Sequence, residues 1–154
     1  MKYIYELFSN VYVITALASW GEAQVLKTII HAIVNKKLDM SRLFGDGGMP
    51  SGHSATVTSL AAIIGLVKGL DTVEFAVAGI IAVVVCHDAM GVRLETGKQA
   101  TILNEMIKTV ELFASEKLPE VKLKEFVGHT PSQVAAGVML GIVNSLIVYN
   151  AFLK

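Results

Sequence analysis

The sequence predicts an all-α, multi-pass transmembrane helical bundle of about four spans with an interfacial amphipathic helix, forming a single membrane-embedded domain over residues 1–154. Three observations carry that expectation. Hydrophobic residues make up 53% of the chain and charged residues only 17%, against roughly a quarter charged in an ordinary soluble domain. Mean hydropathy is +0.59, a value that makes water a poor solvent for most of the chain. The apolar residues are also gathered into long runs instead of being scattered between polar ones.

A helix rises about 1.5 Å per residue, so crossing a hydrocarbon core of about 30 Å takes roughly 20 mostly apolar residues. The stretches Asn10 to Val34 and Val134 to Leu153 have that length. Ser54 to Val67 and Val73 to His87 are shorter, and serve as spans if their ends continue into protein-lined irregular backbone. Lys68-Gly69-Leu70-Asp71 joins these two as a tight turn. Between the third and fourth runs lies a charged segment, Asp88 to Gln133, whose Ala100 to Phe113 part alternates at helical period and reads as an amphipathic interfacial or capping helix.

Charge and cysteine content narrow the function classes. Thirteen basic and thirteen acidic residues cancel, so no global field draws the chain to nucleic acid. The single cysteine, Cys86, lies in an apolar run and excludes an intrachain disulfide framework. Met1 to Phe8 lacks the pattern of a removable signal. Four crossings put the loops 35–53 and 88–133 on one face, where nine lysines and arginines face only three, Lys2, Lys68 and Lys154, on the other. The positive-inside rule makes the nine-residue face cytoplasmic in a cell membrane.

The residues able to do chemistry fall in those two loops. Gly47-Gly48-Met49-Pro50-Ser51-Gly52-His53-Ser54-Ala55 stands directly before an apolar run. Its glycines permit close backbone approach, and a Ser51-Gly52 helix start leaves N–H groups free for an anion. Gly128-His129-Thr130-Pro131-Ser132-Gln133 stands before the last run in the same manner. Two histidines at two helix starts on one face suit a division of labour in which one attacks phosphorus and the other protonates the leaving oxygen. In the first run, Trp20, Gln24, Lys27 and His31 recur at steps of four, three and four and share one helical face. A lysine inside a span costs about 2.5 to 3.5 kcal/mol on insertion scales, so Lys27 either faces a cavity or snorkels to the interface. Asp88 and Arg93 either pair to shape their loop or, with Arg93 gripping an anion, let Asp88 or Glu95 hold its guanidinium. No zinc-type ligand spacing occurs. Gly137 and Gly141 lie four apart on the last run and permit close helix packing, within the chain or in a homodimer.

The Pro50-Ser51-Gly52-His53 stretch resembles the second signature of the type-2 phosphatidic acid phosphatase and vanadium haloperoxidase superfamily, and His129 to Gly137 resembles the third. Gly47 to Ala55, Asp88 to Arg93, Gln99-Ala100, Leu103-Asn104 and Gly128 to Pro131, with Gln24 and Lys27, resemble its divergent branch from about residue 10 to the C-terminus. That resemblance implies a metal-independent phosphatase, with no cofactor, that hydrolyses a lipid phosphate monoester through a phosphohistidine. The substrate would be of phosphatidate, phosphatidylglycerophosphate or polyprenyl phosphate type. His129 would be the nucleophile and His53 the general acid. Lys27, Ser51, Gly52, Arg93 and Arg42 would hold the phosphate, with Asp88 and Gln24 in support. Two positions depart from the superfamily. Leu123 stands six before His129, where an arginine is expected, leaving Arg93, Lys122 or Lys124 to substitute. Gln133 stands where an acid orients the nucleophile, leaving Glu125, Glu95 or Asp88 to supply a carboxylate. A protein that binds lipid phosphate without turning it over fits the same departures.

Overall fold

A computed structural model describes residues 1–40, 43, 45, 47–114, 123 and 128–154, and of 111, 112 and 114 the backbone alone. Arg42, Lys122, Lys124 and Glu125 lie outside the described residues. The described chain is helical: α1 Lys2–Phe8, α2 Val11–Asn35, α3 Gly52–Lys68, α4 Val73–Met90, α5 Val92–Ala114 and α6 Pro131–Val148, the last continued by a π-helical turn, Tyr149–Leu153.

The helix starts follow from residues that can satisfy free amides. Asn10 Oδ1 accepts from the Tyr12 and Val13 amides at 3.0 and 3.3 Å. Ser51 Oγ accepts from the Ser54 amide at 3.3 Å, and Thr72 Oγ1 from the Phe75 amide at 3.3 Å. Pro131 begins α6, where its missing N–H leaves no helical bond unmade. The helices run further than hydropathy alone indicates: α3 begins at Gly52 instead of Ser54, α4 continues to Met90, and α6 begins at Pro131. The amphipathic helix is longer than Ala100 to Phe113, because α5 starts at Val92, one residue after Gly91 closes α4. The short α1 has no apolar run behind it and was not legible in the sequence.

α3 sits in the centre, packed on α6, α2 and α4. It runs parallel to α6. A Cβ on Gly137 would meet the Ser51 carbonyl and Ser54 Cβ, and one on Gly141 would meet the Ala55 carbonyl and the Ser59 amide. Ser145 Oγ donates to the Ser59 carbonyl at 2.9 Å one turn further on. The small-residue stripe of α6 is thus spent on α3 within the chain. An expected homodimer loses that stripe as its contact. α2 runs the opposite way, with Asn144 Nδ2 donating to Ser19 Oγ at 2.6 Å at one end of the bundle and Lys27 beside Gly48 at the other.

Burial is inverted relative to a water-soluble protein. The buried positions are alanines and small polar groups such as Thr15, Ser19, Ser54, Ser59, Asn144 and Ser145, while Ile80, Val83, Val84, Met139 and Ile147 are exposed. Apolar surface of that extent is stable only when it faces an apolar medium. Two helical stretches among the described residues are long and apolar enough to cross a membrane, Val73–Val110 and Pro131–Leu153. The fold is therefore all-α with at least two long apolar helices, as a multi-pass membrane bundle requires. The sequence leads to an expectation of four spans. The difference arises because α3 has only 17 residues and α2 carries Glu22, Lys27 and several buried polar groups among its apolar ones.

Candidate functional site

The loop-side ends of α2, α3, α4 and α6 meet, and three backbone contacts hold them in register. The His129 amide donates to the Ala89 carbonyl at 2.9 Å, tying the residue before α6 to the end of α4. The Ser51 amide donates to the Gln133 carbonyl at 3.0 Å, tying the start of α3 to the first turn of α6. Gly128, at φ +88°, lies so close to the backbone of Arg93 and Leu94 that a Cβ there would overlap it. Through these contacts two histidines far apart in sequence come together, with ring centroids 6.5 Å apart and planes tilted by 58°.

His53, His129, Asp88 and Arg93 line one cavity of about 210 Å³, with Gly47, Gly128 and the end of α4 completing its wall. His129 is almost fully buried. Its Nδ1 lies 3.3 Å from Gln133 Oε1, which also accepts from the Thr130 amide at 3.1 Å. The amide bond fixes the assignment, since only the side-chain oxygen of Gln133 can accept it. In the tautomer with its proton on Nδ1, His129 donates to Gln133 and keeps the lone pair on Nε2. Burial lowers the pKa of His129 below the ordinary histidine value. The Gln133 hydrogen bond opposes that shift, nearby Lys27 and His53 reinforce it, and the Gly48 backbone opposes it more weakly. On balance the site favours the uncharged ring.

Arg93 Nε donates to Asp88 Oδ2 at 2.7 Å. The ion pair read from the sequence forms, and both residues line the histidine cavity. Half exposure limits its contribution to stability to about 0–1 kcal/mol. Glu95 instead pairs with Lys98 at 2.6 Å.

The remaining expected residues stand one layer away. Lys27 is buried, and its Nζ donates to Gln24 Oε1 at 2.8 Å and to the Gly45 carbonyl at 3.2 Å. Its stem packs against Gly48, so it lies behind the glycine loop, in an adjoining cavity with His31. Gln24, together with Trp20, also packs against Gly52. The shared helical face read from the sequence is thus an inward one at Gln24 and Lys27, whereas Trp20 remains partly exposed. Ser51 and Gly52 are buried and do not line the histidine cavity. Ser51 Oγ accepts from the Ser54 amide and from Ser54 Oγ at 2.9 Å, which occupies both its lone pairs and leaves its own proton to donate.

Two positions that the sequence reading quoted only within longer motifs, without a role, shape this site. Ala89 supplies the carbonyl that seats His129. Asn104 forms a two-point clamp on Leu123, its Nδ2 donating to the Leu123 carbonyl and its Oδ1 accepting from the Leu123 amide, both at 3.0 Å. An asparagine on a helix face that is otherwise apolar or charged was the available signal for the second; a backbone carbonyl leaves none. Leu123, where an arginine was expected, is held by its main chain. Among the described residues no group of three or more His, Cys, Asp or Glu side chains is arranged as a metal-ligand set.

Known proteins resemble this chain along most of its length. The chain is 41% identical over 157 residues, covering 96% of it and 99% of the relative, to a Bacillus subtilis (strain 168) protein described as "Uncharacterized membrane protein YuiD". No solved structure matches it significantly. The profile of the family described as "Divergent PAP2 family" matches residues 8–144, which takes in both histidine-bearing helix starts, Lys27 and the Asp88–Arg93 pair. The chain belongs to the divergent PAP2 family.

Proposed function

We propose that this protein hydrolyses a lipid phosphate monoester without a metal, through a phosphohistidine on His129. The observation that carries the reading is the buried His129 ring, held at Nδ1 by Gln133, in one cavity with His53 and Arg93. His129 Nε2 attacks phosphorus as the ester P–O bond breaks, and the departing oxygen takes a proton from His53. Water then attacks the phosphohistidine, giving its proton to His53, and the N–P bond breaks to release inorganic phosphate and restore neutral His129. Arg93 balances charge on the equatorial oxygens, the main requirement in phosphoryl transfer. Lys27 adds positive potential from behind Gly48, and the Ser51 hydroxyl and Gly52 amide steady the start of α3 around the phosphate. Membership in a PAP2-related family supports the chemistry.

The lipid part of the proposal rests on the apolar exterior of α4 and α6 beside the cavity. In this reading α2, α3, α4 and α6 all cross the bilayer, with the histidine end on the cytoplasmic side. A second reading, binding without turnover, is favoured by the neutral Gln133, whose oxygen divides itself between Thr130 and His129 and supplies no charge to an imidazolium.

Phosphate release from a panel of lipid phosphates, by purified protein in liposomes with EDTA present, tests the proposal. Release that persists in EDTA and disappears in His129→Ala is the expected result. No release from any substrate, with vanadate still raising the melting temperature, would leave the binding reading in place. A further arm isolates His53, because a 4-nitrophenyl ester needs little protonation to leave. His53→Ala should therefore lose far more activity toward an alkyl phosphate than toward the nitrophenyl ester.

A further inference from the structure

Three hollows lie in series at the loop end of the bundle, each sharing wall residues with the next. The histidine cavity shares Gly47 with the hollow that holds Lys27 and His31. That hollow shares Ile30 and Met49 with a third, an open groove between α2 and α6 whose walls include Leu26, Ile30, Met49, Pro50, Met139 and Val143. Polarity falls along this track, from two histidines and an arginine, through one lysine and one histidine, to apolar side chains alone. The groove opens outward, toward the medium that the exterior of α4 and α6 faces, with Met139 61% exposed.

The middle hollow carries an independent sign of a ligand. His31 Nδ1 is buried with no hydrogen-bond partner among the described residues. Buried polar atoms are paired in the great majority of cases, and an orphan calls for an explanation. His31 lines this middle hollow, which shares wall residues with both the histidine cavity and the groove.

We propose that the α2–α6 groove seats one hydrocarbon chain of a phosphate-bearing lipid whose head occupies the histidine cavity and whose linker passes His31. Turned so that Nδ1 meets the hollow, the His31 ring donates to an ester or ether oxygen of that linker. The groove spans Ala136 to Val143 on α6, a rise of about 10 Å, so it holds the part of the chain nearest the head. The inference deepens the functional proposal in that it needs the phosphate to be bound beside His129, yet it does not need turnover.

The test uses the full chain in liposomes and a non-hydrolysable phosphonate analogue of phosphatidate carrying a photoreactive diazirine near the ester end of one chain. The expected label falls on peptides of α2 and α6 that contain Leu26, Ile30, Met139 and Val143. It should exceed, by about tenfold, the label from a phosphatidylcholine with the same diazirine, and vanadate should displace it. Val143→Trp should remove most of the label while leaving stabilisation by vanadate unchanged, which shows that fold and phosphate cavity survive. His31→Leu should weaken competition by the unlabelled phosphonate by about tenfold, the worth of one buried hydrogen bond, with His31→Gln restoring part of it. Equal labelling by phosphatidylcholine, or label spread to the exposed Ile80 and Val84 face of α4, overturns the proposal by making the groove a seat for bulk lipid. Selective label without phosphate release would keep the groove and refute the hydrolase reading; release without selective label would do the reverse.

Discussion

Gln133 Oε1 lies 3.3 Å from His129 Nδ1 and accepts the Thr130 amide at 3.1 Å, so one side-chain oxygen both caps α6 and sets the tautomer of the buried histidine. A carboxylate at this position would do both and add a negative charge. The amide orients the ring while leaving its pKa below the ordinary value.

That relationship predicts how activity and stability depend on pH. The folded pKa of His129 is depressed by burial, so the unfolded chain binds more protons than the folded one between the folded pKa and about 6.5. Stability therefore rises with pH through this window and is lost as pH falls through it. The melting temperature in detergent should drop on going from pH 7 toward pH 5, and the drop should be smaller in His129→Gln, which removes the titrating group. The acid limb of kcat/KM should lie below 6.5 in the native chain. Gln133→Glu should move it upward by adding a negative charge, and Gln133→Leu should move it downward by deleting the bond that raises the pKa. A limb that stays put in both variants would show that another group controls it.

Arg93 lines the cavity with its guanidinium already oriented by Asp88. Removing it in Arg93→Ala should weaken vanadate binding by about 10- to 100-fold, the range for a hydrogen bond to a charged group. Arg93→Lys keeps the charge and loses the fork, so it should recover only part of the affinity. Asp88→Asn should show a smaller loss than Arg93→Ala. Titration followed by melting temperature or calorimetry checks all three.

The glycines sort into those held by close approach and those that are free. Gly128→Ala places a Cβ into the backbone of Arg93 and Leu94 at a positive φ, so it should displace both Arg93 and His129 and lower the melting temperature together with vanadate affinity. Gly141→Val should force α3 and α6 apart and prevent folding into a detergent-stable form. A side chain at Gly21 or Gly79 would meet no neighbouring atom within 4 Å of its Cβ. Gly21→Ala and Gly79→Ala should leave activity intact and stabilise their helices by up to about 1 kcal/mol.

At the opposite end of the bundle, Asn144 reaches α2 through Ser19. Interhelical hydrogen bonds between membrane helices contribute about 0.6 to 2 kcal/mol. Asn144→Ala should reduce stability within that range, measured by unfolding in mixed micelles, and should leave the histidine site working.

Much of this molecule was legible locally. Asn10, Ser51, Thr72 and Pro131 announce helix starts, because caps act on amides two or three residues away. The runs beginning near Val11, Ser54, Val73 and Val134 announce helices because helical period and apolarity are properties of adjacent residues. Both histidine motifs were readable for the same reason. Arg42, Lys122, Lys124 and Glu125, weighed in the sequence as charge partners, fall outside the described residues, while Glu95 is paired with Lys98 instead of Arg93.

The sequence by itself determined that His53 and His129 stand at or beside helix starts and that much of the chain is apolar. Only tertiary structure decided which residues share a cavity. The close approach of α6 to α3 at Gly137 and Gly141, and of Gly128 to Arg93 and Leu94, brings His129, His53 and Arg93 together, while Gly48 leaves Lys27 behind the loop and the Ser51 cap turns its side chain inward. Cavity membership depends on how near two backbones can come. That distance is set by the absence of side chains on separate helices, and no local pattern in either helix records which partner will fill the gap.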